Sequence, residues 1–185
     1  VIVDVGAHIG IFSVRAAQAV GNEGQVIAIE PDVRNLEFLK RNIEANRLTN
    51  VITVPKGVWS REDLAKLYLG RHSMTSSLYH EEWQSDEFIE VKVDKLDCIL
   101  ERLAIKKVDF IKMDVEGAEI EAMKGMQETL RRNNNIRLAI SAYHKQDGRV
   151  TAKTIASSLR VDGFDVRDVD GIVYAARNSI LTRPR

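Results

Sequence analysis

The sequence predicts a three-layer α/β fold: a mostly parallel sheet, covered by helices on both faces and ending in a C-terminal antiparallel hairpin strand. Three observations carry this. Short, wholly apolar runs alternate with helix-length amphipathic segments, the pattern of strands buried on both faces of a parallel sheet. The first run ends in a glycine-bounded turn that opens directly into a helical pattern. The last two runs are joined by Asp170-Gly171, a two-residue hairpin signal that makes the final strand antiparallel to its neighbour.

Val1 to Val5 is a β-branched run and reads as a buried strand. Gly6-Ala7-His8-Ile9-Gly10 is the turn, and a helix from Ile11 to Val20 stops at Gly21-Asn22-Glu23-Gly24. Val26 to Ile29 is a second strand, ending at Glu30-Pro31. Asp32 caps a helix to about Asn46, with Leu36, Leu39 and Ile43 on one face. Val51 to Val54 is a third strand. Residues 58–93 are irregular and polar, a lid-like insertion with one hairpin pairing Ala65–Leu69 and Phe88–Val93. Asp94 to Leu103 reads as a short helix, Val108 to Met113 as a fourth strand, and Glu116 to about Arg131 as one helix. Ile136 to Ile140 is a fifth strand and Thr151 to Val161 a helix, before the closing pair Phe164–Val169 and Ile172–Ala176. No repeat, low-complexity tract or linker interrupts this order, so residues 1–185 are expected to form one domain.

Lys plus Arg equals Asp plus Glu at 27 each, so there is no bulk drive toward nucleic acid or an anionic membrane. No apolar run approaches the ~20 residues of a membrane-spanning helix, and no signal peptide is visible. The single cysteine, Cys98, excludes an internal disulfide. It reads as a buried core thiol and suits a reducing compartment. A cytoplasmic location is expected, with neither nucleic acid nor membrane as partner. The oligomeric state is left open, a homo-oligomer included. The chain begins inside a strand, so the natural protein is expected to extend upstream of Val1.

In open α/β sheets, ligands bind beyond the carboxyl ends of the strands, where the strand order reverses. Gly6 permits the tight turn, and Gly10 lets the helix start close to the strand and to a ligand. Glu30 ends the second strand, roughly 20 positions past the glycines, where a carboxylate accepts hydrogen bonds from vicinal ribose hydroxyls. A dinucleotide binder shows G-x-G-x-x-G, whose middle glycine lets the backbone reach the phosphates; His8 stands at that place. Asp4 sets a carboxylate near the turn, suited to a ligand ammonium. An ammonium and a ribose are both found in S-adenosylmethionine.

A second acidic segment runs from Asp109 to Glu119. Asp114 ends the fourth strand, on the same sheet edge as Asp4 and Glu30. Glu116 and Glu119 are three apart at the predicted helix start, where they share a face and favour the positive end of the helix dipole. Helix capping is the bland account of these acids.

With both segments in hand, the chain resembles the FkbM family of methyltransferases. The matching stretches are Val3 to Gly10, Ile29-Glu30-Pro31, Ser76-Ser77-Leu78 and Ile111 to Glu119, in the same order. The resemblance implies a Rossmann-like sheet, S-adenosylmethionine as methyl donor, and O-methylation of a hydroxyl on a small molecule or carbohydrate. By the matched motifs, Asp4, Gly6 and Gly10, with Ala7 and His8 in the turn between them, line the methionine end. Glu30, followed by Pro31, holds the ribose. Gly57 and Val58 border the adenine, and Asp114 and Glu116 face the donor methyl and the acceptor. The family often carries Glu-x-His at the fifth strand. Here Ile140-Ser141-Ala142-Tyr143-His144 puts Ser141 or Ala142 in the acid's place.

His144 is the candidate general base, because an unperturbed histidine titrates near pH ~6.5; Glu116 or Asp114 orients it or holds the acceptor. Asp114, Glu116 and His144 could supply ligands to Mg²⁺, but no spacing demands a metal and none is expected. His8 shapes the turn. His72 and His80, with Met74, Tyr79 and Trp83, fall in a stretch that reads as a substrate lid. Three rival readings remain: an NAD-dependent oxidoreductase, disfavoured by the missing glycine pattern; a non-catalytic nucleoside-binding module, disfavoured by Asp4, Glu30 and Asp114; and a nucleic-acid methyltransferase, disfavoured because the sequence has no basic stripe with interleaved aromatics and no Asn-Pro-Pro-Tyr-like motif.

Overall fold

The computed structural model describes residues 1–70, 76–79, 86–146 and 149–177. The first half runs β1 (Ile2–Val5), α1 (Ile11–Val20), β2 (Val26–Ile29), α2 (Val33–Ala45), β3 (Val51–Val54), β4 (Gly57–Val58), β5 (Asp63–Tyr68) and β6 (Phe88–Asp94). The second half runs α3 (Leu96–Arg102), β7 (Phe110–Met113), α4 (Glu119–Lys124), α5 (Gln127–Arg132), β8 (Arg137–Ser141), β9 (Lys145–Gln146), β10 (Arg149–Val150), α6 (Ala152–Val161), β11 (Asp165–Val169) and β12 (Ile172–Ala176).

The main sheet has the order β11-β12-β8-β7-β1-β2-β3. Strands β8, β7, β1, β2 and β3 are parallel, and β12 runs antiparallel to both β8 and β11. Asp170 and Gly171, both at positive φ, make the tight turn between the last two strands. The pleat divides side chains between two layers. Val26 and Ala28 pack toward α1 and α2, whereas Ile27 and Ile29 join Leu96, Ala122, Leu130 and Ile155 on the opposite face. Among the described residues, no helix is long and apolar enough to cross a membrane.

Three expectations are corrected. The insertion is more regular than its polarity implied: β4, β6 and β5 form a separate three-stranded sheet, although β5 and β6 pair as the hairpin expected. The single helix expected from Glu116 is two short ones. A side chain at Gly125 would place Cβ 1.9 Å from the Trp59 carbonyl oxygen, so the backbones meet there. The helix then restarts where the Asp97 carboxylate accepts the N–H groups of Glu128 and Thr129, a cap supplied by another element. Cys98 is half-buried on α3 rather than sealed in the core. His72, Met74, His80 and Trp83 lie outside the described residues.

Candidate active site

The strand order reverses between β1 and β7, and a cavity of about 570 Å³ opens beyond the carboxyl ends of β1, β2 and β7. Gly6, Ala7 and His8 form one wall, Glu30 and Pro31 a second, and Asp114 and Glu116 a third, with Gly57 and Val58 closing the apolar side. The turn depends on glycine. Gly6 has φ +78°, and a Cβ there would lie 1.9 Å from the Asp114 carbonyl oxygen.

Glu30 is 6% exposed. Its Oε2 accepts the His8 N–H at 2.8 Å, and its Oε1 accepts the Asp32 N–H at 3.1 Å and the Asn35 amide at 3.3 Å. Two oxygens accept about four hydrogen bonds, so Oε2 keeps capacity for one more donor. Burial raises the Glu30 pKa against those hydrogen bonds. His8 sits at φ 50°, and its pKa is lowered by burial and then by Lys112.

Two expected cofactor residues do not line the cavity. Gly10 packs under α2, where a Cβ would lie 2.2 Å from Leu39 Cδ1. Asp4 faces the helix layer because it alternates with Val3 and Val5. It is fully buried, accepts the Ser13 hydroxyl at 2.6 Å, and sits 3.3 Å from Lys112 Nζ, its cross-strand partner on β7. Burial pushes the Asp4 pKa up, with Lys112 opposing. Lys112 lines the cavity and also donates to the Gly6 carbonyl, so Asp4 contacts the cavity wall through Lys112.

The acidic segment closes around His144. Glu116 is in the left-handed region at φ 49°, followed by Gly117 at φ 96°. The helix starts only at Glu119, so these two acids do not share a helix face as expected. They grip opposite edges of one ring instead. His144 Nδ1 lies 2.7 Å from Glu119 Oε1, and Nε2 lies 3.3 Å from Glu116 Oε2, outside hydrogen-bonding geometry. Nε2 is also 4.0 Å from Asp114 Oδ1. Both Nε2 and Oδ1 are buried without a hydrogen-bond partner among the described residues.

Burial works against charge on His144, but the Glu116 and Glu119 carboxylates outweigh it and hold its pKa at about 10. That lies well above the ordinary imidazole value expected from the sequence, so the ring holds its proton more tightly than a free histidine does. Burial raises the Asp114 pKa, with Lys112 opposing. Ala142 is packed in the core. Glu119, for which the sequence suggested a helix-capping role, supplies the carboxylate beside His144 Nδ1. Lys112 and Tyr143, also on the cavity wall, were missed as well.

The Methyltransferase FkbM domain profile matches residues 4–169. "Methyltransferase 1" of Beauveria bassiana (strain ARSEF 2860) is 26% identical over 147 residues, covering 69% of this chain and 58% of that protein. "Methyltransferase sdnD" of Sordaria araneosa is 27% identical over 157 residues, covering 69% of this chain and 60% of its own. The chain thus spans about three fifths of the length of these relatives. A SAM-dependent methyltransferase from Aquifex aeolicus shares the fold at TM-score 0.55 and 19% identity, over 94% of this chain and 80% of that one. Fold and profile define the class: a Rossmann-like methyltransferase domain. Within that class the chain belongs to the FkbM methyltransferase family, which sets aside the dinucleotide reading.

Proposed function

We propose that the chain transfers a methyl group from S-adenosylmethionine to a hydroxyl oxygen of a small molecule or sugar. The observation that supports this most is the gap between Asp114 Oδ1 and His144 Nε2. These buried atoms are 4.0 Å apart and unpartnered among the described residues. A hydroxyl suits such a gap, because it donates one hydrogen bond and accepts two.

The residues fit the donor. Glu30 retains acceptor capacity for a ribose hydroxyl, Gly57 and Val58 offer an apolar border for adenine, and the Gly6-Ala7-His8 turn leaves room for the amino-acid end. When bound, S-adenosylmethionine supplies a methyl already activated by the sulfonium. The protein's work is then to position the acceptor and take its proton. As the C–O bond forms and the S–C bond breaks, the hydroxyl proton passes to the Asp114–Glu116 carboxylates. His144, already protonated, holds the acceptor in place.

Incubation with methyl-tritiated donor and matched alcohol, amine and thiol acceptors tests this reading. Label is expected in the alcohols, with an O–CH₃ resonance in the product. Transfer confined to amines or thiols would overturn it.

A further inference from the structure

We propose that Asp114, Glu116 and His144 form a binding site for one divalent cation of the magnesium or manganese type, with Glu119 as the residue that orients the imidazole. One ligand atom from each of the three lies within 4.8 Å of the others. His144 Nε2 is 3.3 Å from Glu116 Oε2 and 4.0 Å from Asp114 Oδ1. An octahedral cation with ligands at about 2.1 Å spaces neighbouring ligand atoms by about 3 Å, so little closure is needed.

Three further observations point the same way. Asp114 Oδ1 and His144 Nε2 are buried and unpartnered among the described residues, and such atoms normally find a partner. His144 is only 11% exposed, and its other nitrogen is held by fully buried Glu119. A carboxylate on the far nitrogen is the usual support of a metal-bound imidazole. Three carboxylates converge on this one ring, and Lys112 approaches only the Oδ2 side of Asp114, at 3.9 Å. The position is also braced: the Thr151 N–H donates to the His144 carbonyl at 3.0 Å, and Ser77 donates to the Glu116 carbonyl.

Two carboxylates and one imidazole are a hard, oxygen-rich set that suits Mg²⁺ or Mn²⁺ better than thiophilic metals. The cation would take the place of the Nε2 proton; with it bound, the acceptor oxygen would be held by the cation instead of by the protonated His144 ring of the ion-free site, and each carboxylate would still offer its second oxygen as proton acceptor. Facing the cavity, it would bind the acceptor oxygen and favour loss of its proton. That consequence for turnover rests on the methyl-transfer reading; the binding itself does not.

The test uses Mn²⁺ with the full chain, following loss of the free-Mn²⁺ electron paramagnetic resonance signal. S-adenosylhomocysteine binding is measured by calorimetry on the same sample. Saturable uptake of one Mn²⁺ is expected, displaced by excess Mg²⁺. Glu119→Gln should weaken it by about 10–100-fold, and Asp114→Asn or His144→Ala should abolish it. Circular dichroism checks folding; where His144→Ala fails to fold, Glu119→Gln decides. No uptake by a chain that still binds S-adenosylhomocysteine overturns the cation site alone. Uptake unchanged in Glu119→Gln and Asp114→Asn overturns it too. Uptake without S-adenosylhomocysteine binding upholds the cation site and sinks the donor reading.

Discussion

Glu119 Oε1 lies 2.7 Å from His144 Nδ1, joining residues 25 apart in sequence. A histidine whose folded pKa stands at about 10, against 6.5 ordinarily, binds a proton more tightly when folded than when unfolded. Its contribution to stability is complete below the unfolded pKa and is lost as pH rises through the folded one. Chelator-treated protein should therefore lose stability in denaturant titrations between about pH 6.5 and 10, and Glu119→Gln should flatten that slope. An equally steep slope in the variant would show that Glu119 does not hold the proton.

Glu30 carries the donor-binding expectation. Losing one hydrogen bond to a charged group costs about 1.5–3 kcal/mol, or roughly 10–100-fold in affinity. Glu30→Ala should weaken S-adenosylhomocysteine by that factor in calorimetry. It should also lower folding stability, because the His8 and Asp32 N–H groups lose their acceptor. A folded variant with unchanged affinity would remove Glu30 from the ribose.

The sequence made the sheet legible because β1, β2 and β3 are short, largely apolar and closely followed by glycine or proline. The bounds of α1, β2 and β3 came out as expected. The α4–α5 break was hidden, since only the approach of the Trp59 backbone explains Gly125. The candidate site was half legible. Strand-end position located Asp114 and Glu30 on the cavity, but strand-end position alone could not say that Asp4 turns toward Ser13. Glu119 looked like a helix cap because its partner arrives only with the turn after β8.

Gly6 should tolerate no side chain. A Cβ would meet the Asp114 carbonyl at 1.9 Å, in a backbone at φ +78°. Backbone strain and overpacking together should cost Gly6→Ala at least about 2 kcal/mol. Gly163→Ala is the control: φ is +81°, but nothing lies within 4 Å, so only the left-handed penalty of about 1–2 kcal/mol applies. Equal losses in the two chemical denaturation curves would mean that the β1–β7 approach relaxes freely.

Ser77 links the insertion to the turn that carries Glu116. It is 3% exposed, exchanges backbone hydrogen bonds with Tyr68 at the end of β5, and donates its hydroxyl to the Glu116 carbonyl. Glu116 occupies a left-handed position, so a tether on its carbonyl helps fix where its carboxylate points. Misplacing a catalytic group by about 1 Å can cost 10²-fold. Ser77→Ala should therefore lower kcat by roughly ten- to hundredfold, with donor affinity little changed, since Glu30 and the glycine turn are untouched. Ser77→Thr, which keeps the hydroxyl, should restore most of the rate. If Ser77→Ala instead lowers only the melting temperature, the bond braces the insertion without setting the chemistry, and Glu116 must be held by its own turn.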